Sequence, residues 1–237
     1  RAHPKPAAGP RAGGQLAASA TQPSGIGPAT YRQAYGWADS TGNRLVGDGT
    51  GQTVAVVDAY DDPTIASDLA TFDSTYNLPC SSCFTKVDES GGTNYPSADS
   101  GWALEMALDV EWAHAIAPAA HILLVEASTN SLNDLMAAED YAGAHAQYVT
   151  NSWGSSEFSG ESGYDGNFTR SGVSYFASAG DTGGVVEYPS ASPDVTSVGG
   201  TTLTSTSGTW NETGWSGSGG GCSAYEAQAA AQVTNPI

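Results

Sequence analysis

Thr53-Val-Ala-Val-Val-Asp58 and His121-Ile-Leu-Leu-Val-Glu126 are short runs in which consecutive residues are apolar, without the alternation of a strand that has one wet face. Such runs predict strands buried on both faces. Helical patterns separate them. Residues 63–76 place Ile65, Leu69 and Phe72 on one side of a helix. Residues 101–114 are rich in Ala, Leu, Met and Glu, all good helix formers. Residues 131–146 form a third helix, with Leu132, Leu135 and Met136 inward and Ser131 available as its cap. Residues 148–151, 173–179 and 194–198 read as further strands. This alternation predicts an α/β fold, a parallel β-sheet flanked by helices on both faces. Ligands of such sheets bind at the carboxyl ends of the strands. Three of those ends are polar and loop-rich: Asp58-Ala-Tyr-Asp-Asp62, Asn151-Ser-Trp-Gly-Ser-Ser156 and Ser178-Ala-Gly-Asp-Thr-Gly183.

Outside this alternation, residues 1–27 are Ala, Gly, Pro and Ser with scattered basic residues, which predicts a linker or extended arm. From Thr201 onward a Thr/Ser/Gly-rich tail shows weak periodicity. Seven Lys and Arg against 25 Asp and Glu give a net charge of −18, which argues against nucleic acid or an anionic membrane as partner. That balance suits a protein that works in acid, and equally one that is simply soluble. No run approaches the roughly 20 apolar residues of a membrane span. The start at Arg1 reads as a boundary left by processing or cloning that allows secretion, and a monomer is expected.

Three cysteines leave one unpaired. Cys80-Ser-Ser-Cys83 can be a local disulfide, a metal pair or a redox motif. It follows Leu78-Pro79 in a loop rather than opening a helix after a strand, and no second Cys/His pair completes a zinc site. A structural disulfide between Cys80 and Cys83 is the favoured reading, with the mate of Cys222 beyond Ile237.

Three groups can carry chemistry. Glu105 and Asp109 lie four apart on the 101–114 helix, so they share a face. Two adjacent carboxylates repel when both are ionised, which raises one pKa and suits a shared proton. The plain alternative is a solvated helix face, set against the neighbours Trp102, Leu104, Met106, Leu108 and Trp112. Asp181, between glycines after a strand, caps a turn or, if protonated, donates to a developing oxyanion. Ser152-Trp153-Gly154 leaves a strand as a turn around a packed Trp or as an edge for an extended peptide. The acidic loop at 58–62 is a weaker candidate for a divalent cation. His3, His114, His121 and His145 lack metal or triad spacing and read as structural or surface residues. Asn167-Phe-Thr169 and Asn211-Glu-Thr213 are glycosylation sequons, relevant only in a glycosylating host.

In this order the three groups resemble the sedolisins, serine-carboxyl peptidases with a subtilisin-like fold. The resemblance implies that Glu105 is the general base and Asp109 its orienting partner. It implies that Asp181, in Ser178-Ala-Gly-Asp181, serves the oxyanion and that Ser152, Trp153 and Gly154 line the substrate. Gly51-Gln-Thr-Val-Ala-Val-Val-Asp58, Glu187-Tyr-Pro-Ser190 and Val195-Thr-Ser-Val-Gly-Gly-Thr201 support it, over about residues 28–228. Residues 28–237 would be the N-terminal part of the peptidase domain, C-terminally incomplete. The family's nucleophile sits in a Gly-Thr-Ser motif followed by a calcium loop. This sequence has neither, and Gly199-Gly-Thr-Thr202 carries Thr where Ser is needed. The expectation is therefore an acid-active endopeptidase of peptide or denatured-protein substrates, with its Ser and calcium ligands outside this chain. The competing reading is a non-catalytic sedolisin-like peptide-binding homologue.

Overall fold

The computed structural model describes residues 3–4 and 23–234. Strand β1 is His3–Pro4, helix α1 Pro28–Ala34 and strand β2 Thr53–Ala59. Then follow α2 (Ile65–Tyr76), β3 (Phe84–Asp88), α3 (Ser100–Ile116), β4 (His121–Ala127) and α4 (Leu132–His145). Beyond these come β5 (Tyr148–Asn151), β6 (Trp153–Ser156), a 3-10 helix (Glu161–Phe168) and β7 (Ser174–Ser178). The last elements are β8 (Glu187–Tyr188), β9 (Val195–Val198), β10 (Thr201–Thr206), β11 (Thr209–Gly214) and α5 (Ala230–Thr234). Of the expected arm, residues 1–2 and 5–22 lie outside the described residues.

Six strands form one parallel sheet in the order β3-β4-β2-β5-β7-β9. Consecutive residues 55–59 of β2 and 122–127 of β4 are all buried, so both faces of the sheet centre are covered. Helices α2 and α3 pack on each other, α3 also on β2 and β4, and α4 on β2, β4 and β5. Trp102, Met106 and Val110 recur at four-residue intervals and make the buried stripe of α3. Leu104 and Leu108 do not belong to it, being 59% and 44% exposed. The apolar setting expected around the acidic pair thus comes from Trp102 and Met106, not from these two leucines.

Helices α3 and α4 each start where a side chain satisfies free N–H groups. Asp99 accepts from Gly101 N and Trp102 N at 2.9 and 3.1 Å, and Ser131 Oγ accepts from Asp134 N at 3.3 Å. At the other end of α3, Arg32 Nη1 donates to Ala115 O and Arg44 Nη2 to Ile116 O, at 2.6 and 3.0 Å. Cations there complement the negative end of the helix dipole. Cys80 and Cys83 are disulfide-bonded with Cα atoms 5.2 Å apart, and Cys222 is a free, exposed thiol. Among the described residues, no helix is long and apolar enough to cross a membrane.

Two features sharpen the sequence expectations. The tail after Thr201 forms an antiparallel hairpin, β10 with β11, turning at Ser207-Gly208 where both residues have positive φ. The 153–156 segment is a strand rather than a turn. It pairs antiparallel with β8 on one side and with β1 on the other, His3 opposite Gly154 and Pro4 opposite Trp153.

Candidate active site

Strands β2, β4, β5 and β7 are parallel neighbours, so their carboxyl ends open on the same side. Two of the strand-end residues are acidic. Asp58 and Glu126 are register partners, side by side across β2 and β4. Both are fully buried. No hydrogen-bond donor reaches either oxygen of Asp58. Burial, reinforced by Asp109, Glu105 and Glu126, pushes its carboxyl well above the usual range. Glu126 accepts from Asp62 N at 3.2 Å and lies 3.2 Å from Lys86 Nζ. Burial still outweighs these contacts and raises its pKa to about 8.

Helix α3 brings Glu105 and Asp109 over the same place. Glu105 is 6% exposed. Asp109 receives a hydrogen bond of 2.9 Å from Ser152 Oγ, while its Oδ2 is buried without a donor. Burial raises Asp109 to about 6 against the opposing effect of the Ser152 bond. A carboxyl so placed keeps its proton through mildly acidic pH. The acidic pair is therefore not a solvated helix face, and it is tied directly to the segment after β5.

That segment is held from below. Trp153 is fully buried and donates its Nε1–H to Val57 O at 2.9 Å. The chain thus dives into the core at Trp153 and leaves the neighbouring backbone aligned as strand β6. Asn151 Nδ2 donates to Phe176 O at 3.2 Å, and Ser178 Oγ to Asn151 O at 3.4 Å, so the ends of β5 and β7 are cross-linked. Asp181 lies two residues past Ala179 in the loop after β7 and is partly exposed. The structure thus puts Asp181 and the 152–154 edge at the same end of the sheet as Glu105 and Asp109.

Sequence reasoning misses two residues here. In the sequence Asp58 opens a polar loop, although an acid that terminates a doubly buried strand must itself be buried. Glu187 enters the sequence reading only within Glu187-Tyr-Pro-Ser190, with no role assigned. Its carboxyl lies where a Cβ on Gly154 would meet it at 2.8 Å and one on Gly180 at 2.9 Å, so glycine at both positions makes room for it. It stands between the 152–154 edge and the Asp181 loop. The 58–62 cation idea fails, because its acids point to separate tasks. Asp61 pairs with Lys86, Asp62 accepts from Thr64 N and Oγ1, and Asp58 is enclosed. Among the described residues, no group of three or more His, Cys, Asp or Glu could hold a metal ion. His114 is fully buried 3.2 Å from Asp73, between α2 and α3 and away from this site.

Comparison with known proteins bears on the fold. No family model matches the chain. Kumamolisin of Bacillus sp. (strain MN-32) is 29% identical over 228 residues, which is 84% of this chain and 39% of kumamolisin. The chain thus spans about two fifths of that relative's length. Among solved structures, Pseudomonas sedolisin, a serine-carboxyl proteinase seen with two molecules of pseudo-iodotyrostatin, superposes with a TM-score of 0.73 at 24% identity. The match covers 90% of this chain and 67% of that one. A psychrophilic protease gives a TM-score of 0.51 at 20% identity, over 87% of this chain and 68% of its own. The chain is a homologue of kumamolisin with the sedolisin-like, parallel α/β fold.

Proposed function

We propose that this chain supplies the general base, the oxyanion donor and the substrate edge of an acid-active serine-carboxyl endopeptidase. The 2.9 Å bond from Ser152 Oγ to Asp109 Oδ1 carries the reading, because it fastens the acidic pair to the edge where a peptide would lie. Glu105, ionised, takes the proton of a Ser hydroxyl as its oxygen attacks the scissile carbonyl carbon. Asp109, neutral below about pH 6, holds a proton against Glu105 and steadies it. The carbonyl electrons move onto oxygen, where protonated Asp181 donates a hydrogen bond. Glu105 then returns its proton to the leaving amide nitrogen, and water releases the acyl group by the reverse steps.

The peptide would add as an antiparallel strand to the 153–154 edge, the position taken by the backbone of His3–Pro4. The Glu187 carboxyl, between that edge and the Asp181 loop, favours a substrate side chain that is basic or donates hydrogen bonds. Calcium belongs to this proposal only for the whole protein, since no described residues group to hold it. Secretion fits an acid-working enzyme.

A second reading is a peptide-binding homologue without turnover, using the same 153–154 edge. The test is hydrolysis of a denatured protein at acid pH by the protein that carries this chain. Turnover lost in Glu105→Gln with the fold retained supports the peptidase; peptide binding without turnover in the wild type supports the second reading.

A further inference from the structure

Next to the substrate edge, residues 157–165 and 223–226 bring four acids together, with no cation beside them among the described residues. Ser223 Oγ donates to Glu157 Oε1, and Ala224 N donates to its Oε2 at 3.3 Å. Tyr188 OH donates to Asp165 Oδ1 at 3.2 Å, and Phe158 N to Glu161 Oε2 at 2.6 Å. Glu161 is fully buried, and its Oε1 has no hydrogen-bond partner; the same is true of Glu226 Oε1. The groups facing Glu226 are Asp165 and Glu161 of the 3-10 helix, Glu157 after β6 and the phenol of Tyr188 on β8. Glu161 and Glu226, each with one oxygen that no donor reaches, are the two acids of the cluster that burial and their neighbours drive toward the protonated form.

The stretch of chain that carries Glu226 also borders the site. Trp215 N donates to Gly200 O at 3.0 Å, Gly219 N to Gly180 O at 2.7 Å and Gly220 N to Val185 O at 2.9 Å. Gly219 passes so close to Ala179 O that no Cβ fits there. Residues 215–226 therefore form a strap that runs along the Asp181 loop and is fastened at its far end to the loop after β6.

We infer that Glu226 is the acid-operated latch of this strap: protonated, it donates a hydrogen bond to Asp165 and holds the strap against the loop; ionised, it is repelled and the strap opens. Burial first, then Asp165, raises the Glu226 pKa to about 7. A group whose proton is held more tightly when closed favours closure in acid and loses that contribution as pH rises through its closed-state pKa. The strap thus closes below about pH 7 and frees the Asp181 loop above it.

The test is backbone amide hydrogen exchange on the protein that carries this chain, with protection factors of Gly219, Gly220 and Glu226 normalised to amides of β2. The wild type should lose about tenfold or more of that protection between pH 5 and 8.5. Glu226→Gln donates an amide N–H at any pH, so its strap should stay protected across the range. If that variant does not fold by circular dichroism, Asp165→Asn serves, since its amide can donate to Glu226. Equal wild-type protection at both pH values, or an unchanged midpoint in the folded variant, overturns the latch. The readout is independent of turnover, so it stands or falls apart from the peptidase assignment.

Discussion

Two sets of carboxylates in this chain have opposite environments. Those that build turns are surrounded by donors. Asp39 accepts from Thr41 and Asn43, with the Thr41 hydroxyl foremost in lowering its pKa to about 2. Asp88 accepts from Ser90, Gly92 and Asn94 N–H groups, Gly92 foremost in lowering its pKa. Those beneath α3 at the sheet centre have few donors: none reaches Asp58, one oxygen each of Asp109 and Glu126 has no partner, and burial raises all three. Turn acids are ionised because the fold needs their negative charge as a hydrogen-bond acceptor. The acids of the site hold protons because burial disfavours their charge, and carboxyls that titrate near the working pH are what proton transfer requires.

The largest consequence falls on turnover. Glu105→Gln in the protein that carries this chain should lower kcat about 10²–10⁴-fold, the usual worth of a general base. Asp88→Asn, a turn acid, should leave kcat within about twofold, read by peptide hydrolysis at acid pH. Equal losses in the two variants would erase the distinction.

Next comes the support beneath the edge. Trp153→Ala removes a fully buried side chain and the bond to Val57 O, and should cost about 3–5 kcal/mol by denaturant unfolding. A cost under about 1 kcal/mol would mean that the 153–154 edge is not anchored as described.

The two sets also predict opposite pH dependence of stability. A lowered pKa gives stability that is present above the unfolded-state value and lost as pH falls through the folded one, so Asp39 acts between 3.8 and about 2. A raised pKa gives stability that is present in acid and lost as pH rises through the folded value. Asp109 does so near 6, Glu111 near 7, where burial then Asp68 raise it, and Glu126 near 8. Tm should therefore fall by about 5–10 °C between pH 5 and 9. A Tm that rises over this range would contradict the protonation assigned to the site.

The smallest effect isolates one member of each set. Asp58→Asn keeps the shape and removes a buried acid that no donor reaches, so the loss of stability on raising pH should shrink by about 1 kcal/mol. Asp88→Ala leaves three N–H groups without their acceptor and should destabilise it by about 1–2 kcal/mol. Both are read by urea unfolding.

What could be read in advance followed burial. Strands β2, β4, β5, β7 and β9 were legible because burial or flanking turns left a clear apolar signal. Strand β3 was not, because it lies at the edge of the sheet and its Phe84-Thr-Lys-Val-Asp88 mixes apolar and charged residues. The β10–β11 hairpin is mostly exposed and Thr-rich, so it has no apolar face to betray its period. At the site, Glu105 and Asp109 stood out by spacing together with their apolar neighbours, and their roles came from the family resemblance. Glu126 and Asp58 become neighbours only through the β2–β4 register, and Glu187 through close approach to two glycines. Such pairings are tertiary and leave no mark at fixed spacing.

The most direct test of the central claim is a carboxyl ¹³C NMR titration of this chain, with Asp109 assigned by Asp109→Asn. The Asp109 carboxyl should titrate with a midpoint about 6, while Asp39 titrates near 2. A midpoint for Asp109 near the usual aspartate value of about 4 would make the pair an ordinary helix surface and contradict its place in a proton relay.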